Sequence, residues 1–391
     1  MRLPRKILAL ALVGSTLLIN AGCEPLDAVA APDEQGELVV SIAYDSQPDS
    51  VTGIIASSLA EKLEEKSGGK ITAHVYPSGQ LGSDKELIQS CISGDVEFVV
   101  QNHSAQVNDI VGTKVLDMPY LFPNIDIARA TLDDPEFREV YDALYPEVGL
   151  KLLMISDMGY RQTSSNRKLE TLEDFKGLDI RTMENPIHLA LWKALGANPT
   201  PMNRSEVFLA LQQGLLMAQE DPYVNFLLNN YQEVQKYAVA TNHLFHDITL
   251  ITNDQFYQEL PAEYQDWIDE SCEELLPESR AVSDDINNEQ DLIDAGMEVI
   301  HLSDEVFNQI AEIEEQEVWP MIREEVGDEL TDALLDAAEG AKVAWGNTEK
   351  HKKAGPGRPG PHKIRRKGRI HRVLRWCIAP ETPADAGRCA W

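Results

Sequence analysis

Arginine is scarce in the central part of this chain, and that scarcity makes each one informative. Residues 31–345 contain eight: Arg129, Arg138, Arg161, Arg167, Arg181, Arg204, Arg280 and Arg323. Arg161 follows the apolar run KLLMIS (151–156), and Arg181 closes the run LDIRT (178–182), both of which read as strands. A guanidinium at the carboxyl end of a strand can offer two parallel N–H groups to a carboxylate, which an ammonium cannot match. The same side chains could equally form surface ion pairs with the many acids. Position alone leaves both readings open.

Other chemistry is poorly represented. The chain has no G-x-S-x-G, H-E-x-x-H, C-x-x-C or Walker loop. His243 and His246 have metal-like spacing, but no third ligand follows at a recognisable distance, so structural histidines are expected. Asp and Glu are too abundant for any pair to argue acid–base catalysis. The G-x-G-x-x-G at Gly355, Gly357 and Gly360 follows no strand and is interrupted by prolines, so it is no dinucleotide fingerprint. No cofactor or metal is expected.

The elements that must position the arginines are legible in the hydrophobic pattern. LVVSIA (38–43), ITAHV (71–75) and VEFVV (96–100) read as strands. Between them lie helical spacings over 51–66, ended by Gly68, and from Asp84, read as a cap, to Gly94. This β-α-β-α-β order predicts parallel strands. The pattern restarts with 151–156 and 178–182, a helix opened by Pro186, a helix capped by Ser205 and a strand ITLIT (248–252). From Ala262 to about Ala344 the chain reads as mostly helical. The predicted class is α/β, two lobes joined by extended crossings around a cleft. Ligands in such folds collect beyond the carboxyl ends of strands.

Charge divides the chain. Residues 31–345 hold 19 basic and 60 acidic residues, whereas residues 346–391 hold 12 basic and 3 acidic. So acidic a body excludes nucleic acid as a partner, because phosphate contacts need clustered Lys and Arg. Its surface field would repel an anion unless salt screens it, which points to a saline environment. The first 30 residues join a basic start to an apolar run of about a dozen, the form of an export signal. Ala28-Val29-Ala30 fits a small-x-small cleavage site. Ala21-Gly22-Cys23 is similar to the end of a lipoprotein box, with Asn20 where an aliphatic residue belongs. A periplasmic protein, soluble or lipid-anchored, is expected. The segment 346–391 reads as a disordered basic appendage, with the composition of a shifted frame or vector read-through. Of five cysteines, only Cys91 and Cys272 lie in the body, and buried free thiols are expected.

At the two arginines the sequence resembles a known family. The run GYRQTSSNRKLETLEDFKGLDIRTMENPIHLALWKALGANPTPMNRSEVFLALQQGLLMAQEDP (159–222) is similar to the solute-binding proteins of TRAP (tripartite ATP-independent periplasmic) transporters. So are KSGGKITAHVYPSGQLGSDKELIQSCISGD (66–95), VLDMPYLFPN (115–124) and YQEVQKYAVATNH (231–243). The resemblance covers about residues 38–340. It implies a monomeric, non-enzymatic receptor that closes on a small carboxylate, a sugar acid or C4-dicarboxylate, and delivers it to the TRAP permease membrane subunits.

The implied lobes are 37–158 plus 248–286, and 159–247 plus 287–345. The family's carboxylate clamp maps onto Arg181 and a second arginine onto Arg161. Its Gln-Glu-Asn-Pro motif is QEDP here, placing Asp221 where an Asn contacts ligand; Arg204 could bind a second carboxylate or neutralise Asp221. From the first lobe, Asp84 and Asn102 match ligand-facing positions, and Gln47 follows the first strand. The competing class is an exported enzyme acting on a small anionic sugar or organic acid.

Overall fold

The computed structural model describes residues 30–354. The leader, Cys23, the last two cysteines and the glycines at 355, 357 and 360 lie outside them.

The first α/β segment comprises β1 (Leu38–Ala43), α1 (Val51–Ser67), β2 (Ile71–Tyr76), α2 (Asp84–Ser93) and β3 (Phe98–Gln101). Helices α3 (Ile125–Leu132) and α4 (Pro135–Asp142) lead to the 16-residue strand β4 (Leu150–Ser165). The second segment follows: β5 (Asp179–Thr182), α5 (Pro186–Ala194), β6 (Asn198–Pro201), α6 (Arg204–Gln212), β7 (Ala218–Asp221) and α7 (Tyr223–Leu228). The 17-residue β8 (Tyr237–Asn253) returns to the first segment. Then come α8 (Asp254–Glu259), α9 (Ala262–Ile286), α10 (Glu289–Asp294), β9 (Glu298–His301), α11 (Asp304–Val326) and α12 (Asp328–Ala354).

All strands join one mixed sheet in the order β2-β1-β3-β8-β4-β7-β5-β6, with β9 alongside β8. β1 pairs in parallel with β2 and β3, as the β-α-β-α-β reading predicts. β5 likewise pairs in parallel with β6 and β7. Each three-stranded set supports one lobe of a two-lobed binding-protein fold.

The extended crossings are β4 and β8 themselves, paired antiparallel through both lobes with three register shifts. Bulges of this kind bend and twist a strand pair, which lets one sheet serve two lobes. The runs 151–156 and 248–252 are therefore only the first-lobe portions of much longer strands. In their other halves, YRQTSS and TNHLFHD lose the continuous apolar pattern, because most of their buried residues are polar.

Side-chain alternation places core on both faces of the sheet. Leu38, Val40, Ile42, Phe98, Val100 and Leu250 pack with Ile55, Leu59 and Leu63 of α1 and with Ile268 and Leu275 of α9. Ala43, Val99 and Ile251 fall in a second cluster, with Leu87, Ile88 and Cys91 of α2. Cys91 and Cys272 are buried and free.

Three expectations are corrected. Ser83, not Asp84, is the N-cap of α2, because Glu86 accepts from the Ser83 N–H at 2.8 Å and from its hydroxyl at 2.7 Å. Asn203, not Ser205, caps α6 and accepts from the Ser205 N–H at 3.1 Å. Residues 346–354, expected to be irregular, continue α12.

Candidate functional site

The carboxyl ends of β1, β5 and β6 open onto one cleft. It is lined by Asp45 after β1, Ser83 and Asp84 at the start of α2, Arg181 on β5, and Met202 and Arg204 after β6. Ser104 and Asn108 complete the first-lobe wall. This is the strand-end location that the sequence argument requires.

Arg181 lies between two parallel neighbours, opposite Thr200 of β6 and Gln219 of β7. Its side chain is 3% exposed. Nε donates to the Met202 carbonyl at 2.9 Å, while Nη1 is buried without any partner. Among the described residues it has no ion pair. Burial, with Arg204 nearby, lowers its pKa. An unmet guanidinium donor in a buried position costs free energy that an arriving acceptor would recover.

Arg204 stands at the first turn of α6, where a cation is opposed by the helix dipole. Two acids offset this. Nη1 donates to Asp221 Oδ2 at 2.9 Å, and Nε lies 3.4 Å from Asp45 Oδ1. Asp221 also accepts from Asn225 Nδ2 at 2.8 Å. The alternative that Arg204 neutralises Asp221 is thus the observed one, and Asp221 is fully buried behind it.

Asp84 has neither hydrogen bond nor ion pair among the described residues. Because Ser83 and Glu86 cap α2 between them, its carboxyl is left facing the cleft. Burial and the neighbouring Asp45 push that carboxyl up to about 7, against the opposite pull of Arg204 and Arg181.

Arg161 is not on the cleft wall. It is 1% exposed and saturated: Nε pairs with Glu220, Nη2 donates to Glu220 Oε1 and to the Glu220 carbonyl, each at 2.9 Å, and Nη1 donates to His246 Nδ1 at 2.6 Å. Its nearest approach to Asp221 is 3.8 Å. His243 Nε2 and His188 Nδ1 lie 3.2 and 3.4 Å from Glu220. His243 and His246 are therefore occupied by structural partners.

Glu220 is held well below the usual carboxylate range: burial opposes its charge, but Arg161 and the two histidines outweigh it. His188 also reaches Asp117 at 3.2 Å, which accepts from Asn185 at 2.6 Å and meets His103 Nε2 at 3.1 Å. Burial disfavours a charged His103, yet Asp247 and Asp117 raise it to about 10.

Asn102 belongs to this network rather than to the cleft. Its amide donates to Asp247 O and Oδ1 at 2.6 and 3.0 Å, and its oxygen accepts from the Ser104 N–H. Gln47 lines an adjoining depression that shares Asp45 and Arg204 with the cleft. Of the residues named from the sequence, the structure brings Arg181, Arg204 and Asp84 together in the cleft and sets Arg161, Asn102 and Asp221 behind its wall. The sequence reading missed Asp45 and Glu220. Asp45 was findable, since it lies two residues after β1; Glu220 is the acid of the QEDP run, but nothing in the sequence pairs it with Arg161.

No helix among the described residues is long and apolar enough to cross a membrane. Residues 42–325 match the model of the family DctP, "Bacterial extracellular solute-binding protein, family 7". A solute-binding protein of Verminephrobacter eiseniae is 33% identical over 276 residues, covering 70% of this chain and 81% of that protein. The C4-dicarboxylate-binding periplasmic protein DctP of Vibrio cholerae is 28% identical over 311 residues, covering 79% and 93%. The crystal structure of the sugar acid binding protein DctPAm of Advenella mimigardefordensis, in complex with galactonate, superimposes with a TM-score of 0.74 at 28% identity. That match covers 80% of this chain and 99% of the other. With the family model matched over most of its length, relatives aligned over two thirds or more of it and a solved member superimposed on it, the chain belongs to the DctP family of solute-binding proteins of TRAP transporters.

Proposed function

We propose that this protein is a periplasmic receptor that captures a small organic acid on Arg181 and delivers it to a TRAP membrane permease. The observation that carries the reading is the buried, unpartnered Nη1 of Arg181 in a cleft at the carboxyl ends of strands. A ligand carboxylate there would complete the guanidinium's hydrogen bonds and neutralise its charge. Both are needed, because a carboxylate leaving water requires an ion pair with satisfied lone pairs.

The lobes would be residues 37–158 plus 248–286, and 159–247 plus 287–345, with β4 and β8 as the bending pair. Asp45 and Asp84 come from one lobe and Arg181 and Arg204 from the other, so closure surrounds the ligand. Binding from both sides shifts the open–closed population toward the closed form, which the permease would recognise. The matched relatives are named as binding proteins, and no residue of the cleft forms a catalytic constellation. The protein acts as a monomer in this reading.

Calorimetry of Arg181→Gln against a panel of organic acids tests it. Binding should weaken by about 2–5 kcal/mol, the range for breaking a buried charge pair, with the melting transition retained. Unchanged affinity refutes the clamp.

A further inference from the structure

The cleft also restricts what lies beyond the ligand's carboxylate, and this deduction rests on the Arg181 reading. Of the charged residues around it, Arg204 is engaged by Asp221 and Asp45. Lys85 and Glu184 are exposed at the rim. Arg204 Nε also lacks a hydrogen-bond partner, but among the described residues Arg181 is the guanidinium of the cleft with no ion pair, and Asp84 is the carboxyl inside it without a partner. The two face the same cleft from opposite lobes.

When a ligand carboxylate occupies Arg181, the neighbourhood of Asp84 loses a compensating positive charge. The remaining acceptors, Asp84 and Asp45, then confront the rest of the ligand. Hydroxyl or ammonium groups would donate charge-assisted hydrogen bonds to them. A second carboxylate would instead meet a like charge with no unpaired cation inside the cleft to balance it, since Arg204 already serves two acids and Lys85 stands exposed at the rim.

We propose that the cleft selects a monocarboxylate carrying hydrogen-bond donors at its far end, and that Asp84 excludes a second carboxylate. Donors on hydroxyls and on a cationic nitrogen share this chemistry, and matched ligands separate them. The exclusion should also depend on pH, because Asp84 titrates near neutrality. The groups facing it are Asp45, Arg204, Arg181 and Asp221 on other elements, with Lys85 beside it on α2. Below about pH 7 Asp84 becomes neutral, and its repulsion of a diacid falls.

The test is calorimetry on the whole mature protein with two matched sets. One is butanoate, 4-hydroxybutanoate, 4-aminobutanoate and succinate; the other is galactonate and galactarate. At pH 8, a donor-bearing monoacid should bind at least tenfold more tightly than the diacid of its set. The order of the hydroxy and amino acids identifies which donor the site prefers. Asp84→Asn should narrow the gap at least tenfold by admitting the diacid. Galactarate, ionised at pH 6 and pH 8 alike, should gain affinity at pH 6 in the wild type and not in Asp84→Asn.

Three results overturn the proposal: a diacid that equals or outranks the donor-bearing monoacids, a gap unchanged by Asp84→Asn, or no binding by any donor-bearing acid. Arg181→Gln is run in parallel. If it abolishes binding while diacids win in the wild type, the Asp84 inference alone fails. If it binds like the wild type, the carboxylate clamp fails.

Discussion

Two arginines about one strand apart in the sheet, Arg161 on β4 and Arg181 on β5, are separated by β7 and by opposite local economies of charge. The region around Arg161 is closed upon itself. Glu220 takes two of its nitrogens, His246 takes the third, and the histidines link Glu220 onward to Asp117, His103 and Asp247. The region around Arg181 is incomplete, with one bond to a backbone carbonyl, an unmet donor, and an acid across the cleft that has no partner. Both side chains are buried. What separates support from recognition is whether the protein itself satisfies the group. A saturated guanidinium has nothing to offer a ligand, whereas an orphaned one is stabilised by receiving one.

The comparison makes opposite demands on the two positions. Arg161→Met should have the largest effect, a loss of about 3–5 kcal/mol of folding stability, because Glu220 is left as a buried, unpaired charge. Chemical denaturation measures this, and a variant as stable as the wild type would break the distinction. Arg181→Gln should move stability by less than about 1 kcal/mol, near the scale of ordinary substitutions. Its loss appears in binding instead. If it unfolds the protein as Arg161→Met does, Arg181 is also scaffold.

A smaller and opposite effect is expected at Glu314, a 1% exposed acid of α11 whose Oε2 has no partner. It belongs to neither region. Burial alone raises its carboxyl well above the usual range. The folded state therefore holds this proton more tightly than the unfolded chain, whose glutamates titrate at about 4.3. Stability from this group is full below that pH and declines as pH rises toward the raised folded value. Glu314→Gln should melt higher than the wild type at pH 8, and the advantage should vanish near pH 4. A lower melting temperature at pH 8 would mean that the charged form has a compensating role.

Much of the first lobe was legible because its signals are local. β1, α1 and β2 are marked by apolar runs and by Gly68 at the end of α1. The long crossings were legible only in part. Gln162, Thr163, Ser164 and Ser165 on β4, and Thr241, His243, His246 and Asp247 on β8, are buried polar residues. Hydropathy cannot distinguish such residues from a solvated loop, because what makes them tolerable inside is a set of partners distant in sequence. The same reason explains Asn102, whose partner Asp247 lies 145 residues away.

The sequence by itself determined the class of this protein: an acidic α/β body, with Arg161 and Arg181 in runs that resemble a known family. Periodicity, caps and motif order are one-dimensional quantities, and a single chain displays them. Only the tertiary structure decided which arginine is free, that Arg204 is already claimed by Asp45 and Asp221, and that Asp84 is spare. Those are statements about who meets whom, and Coulomb and hydrogen-bond energies depend on distances that the order of residues does not contain.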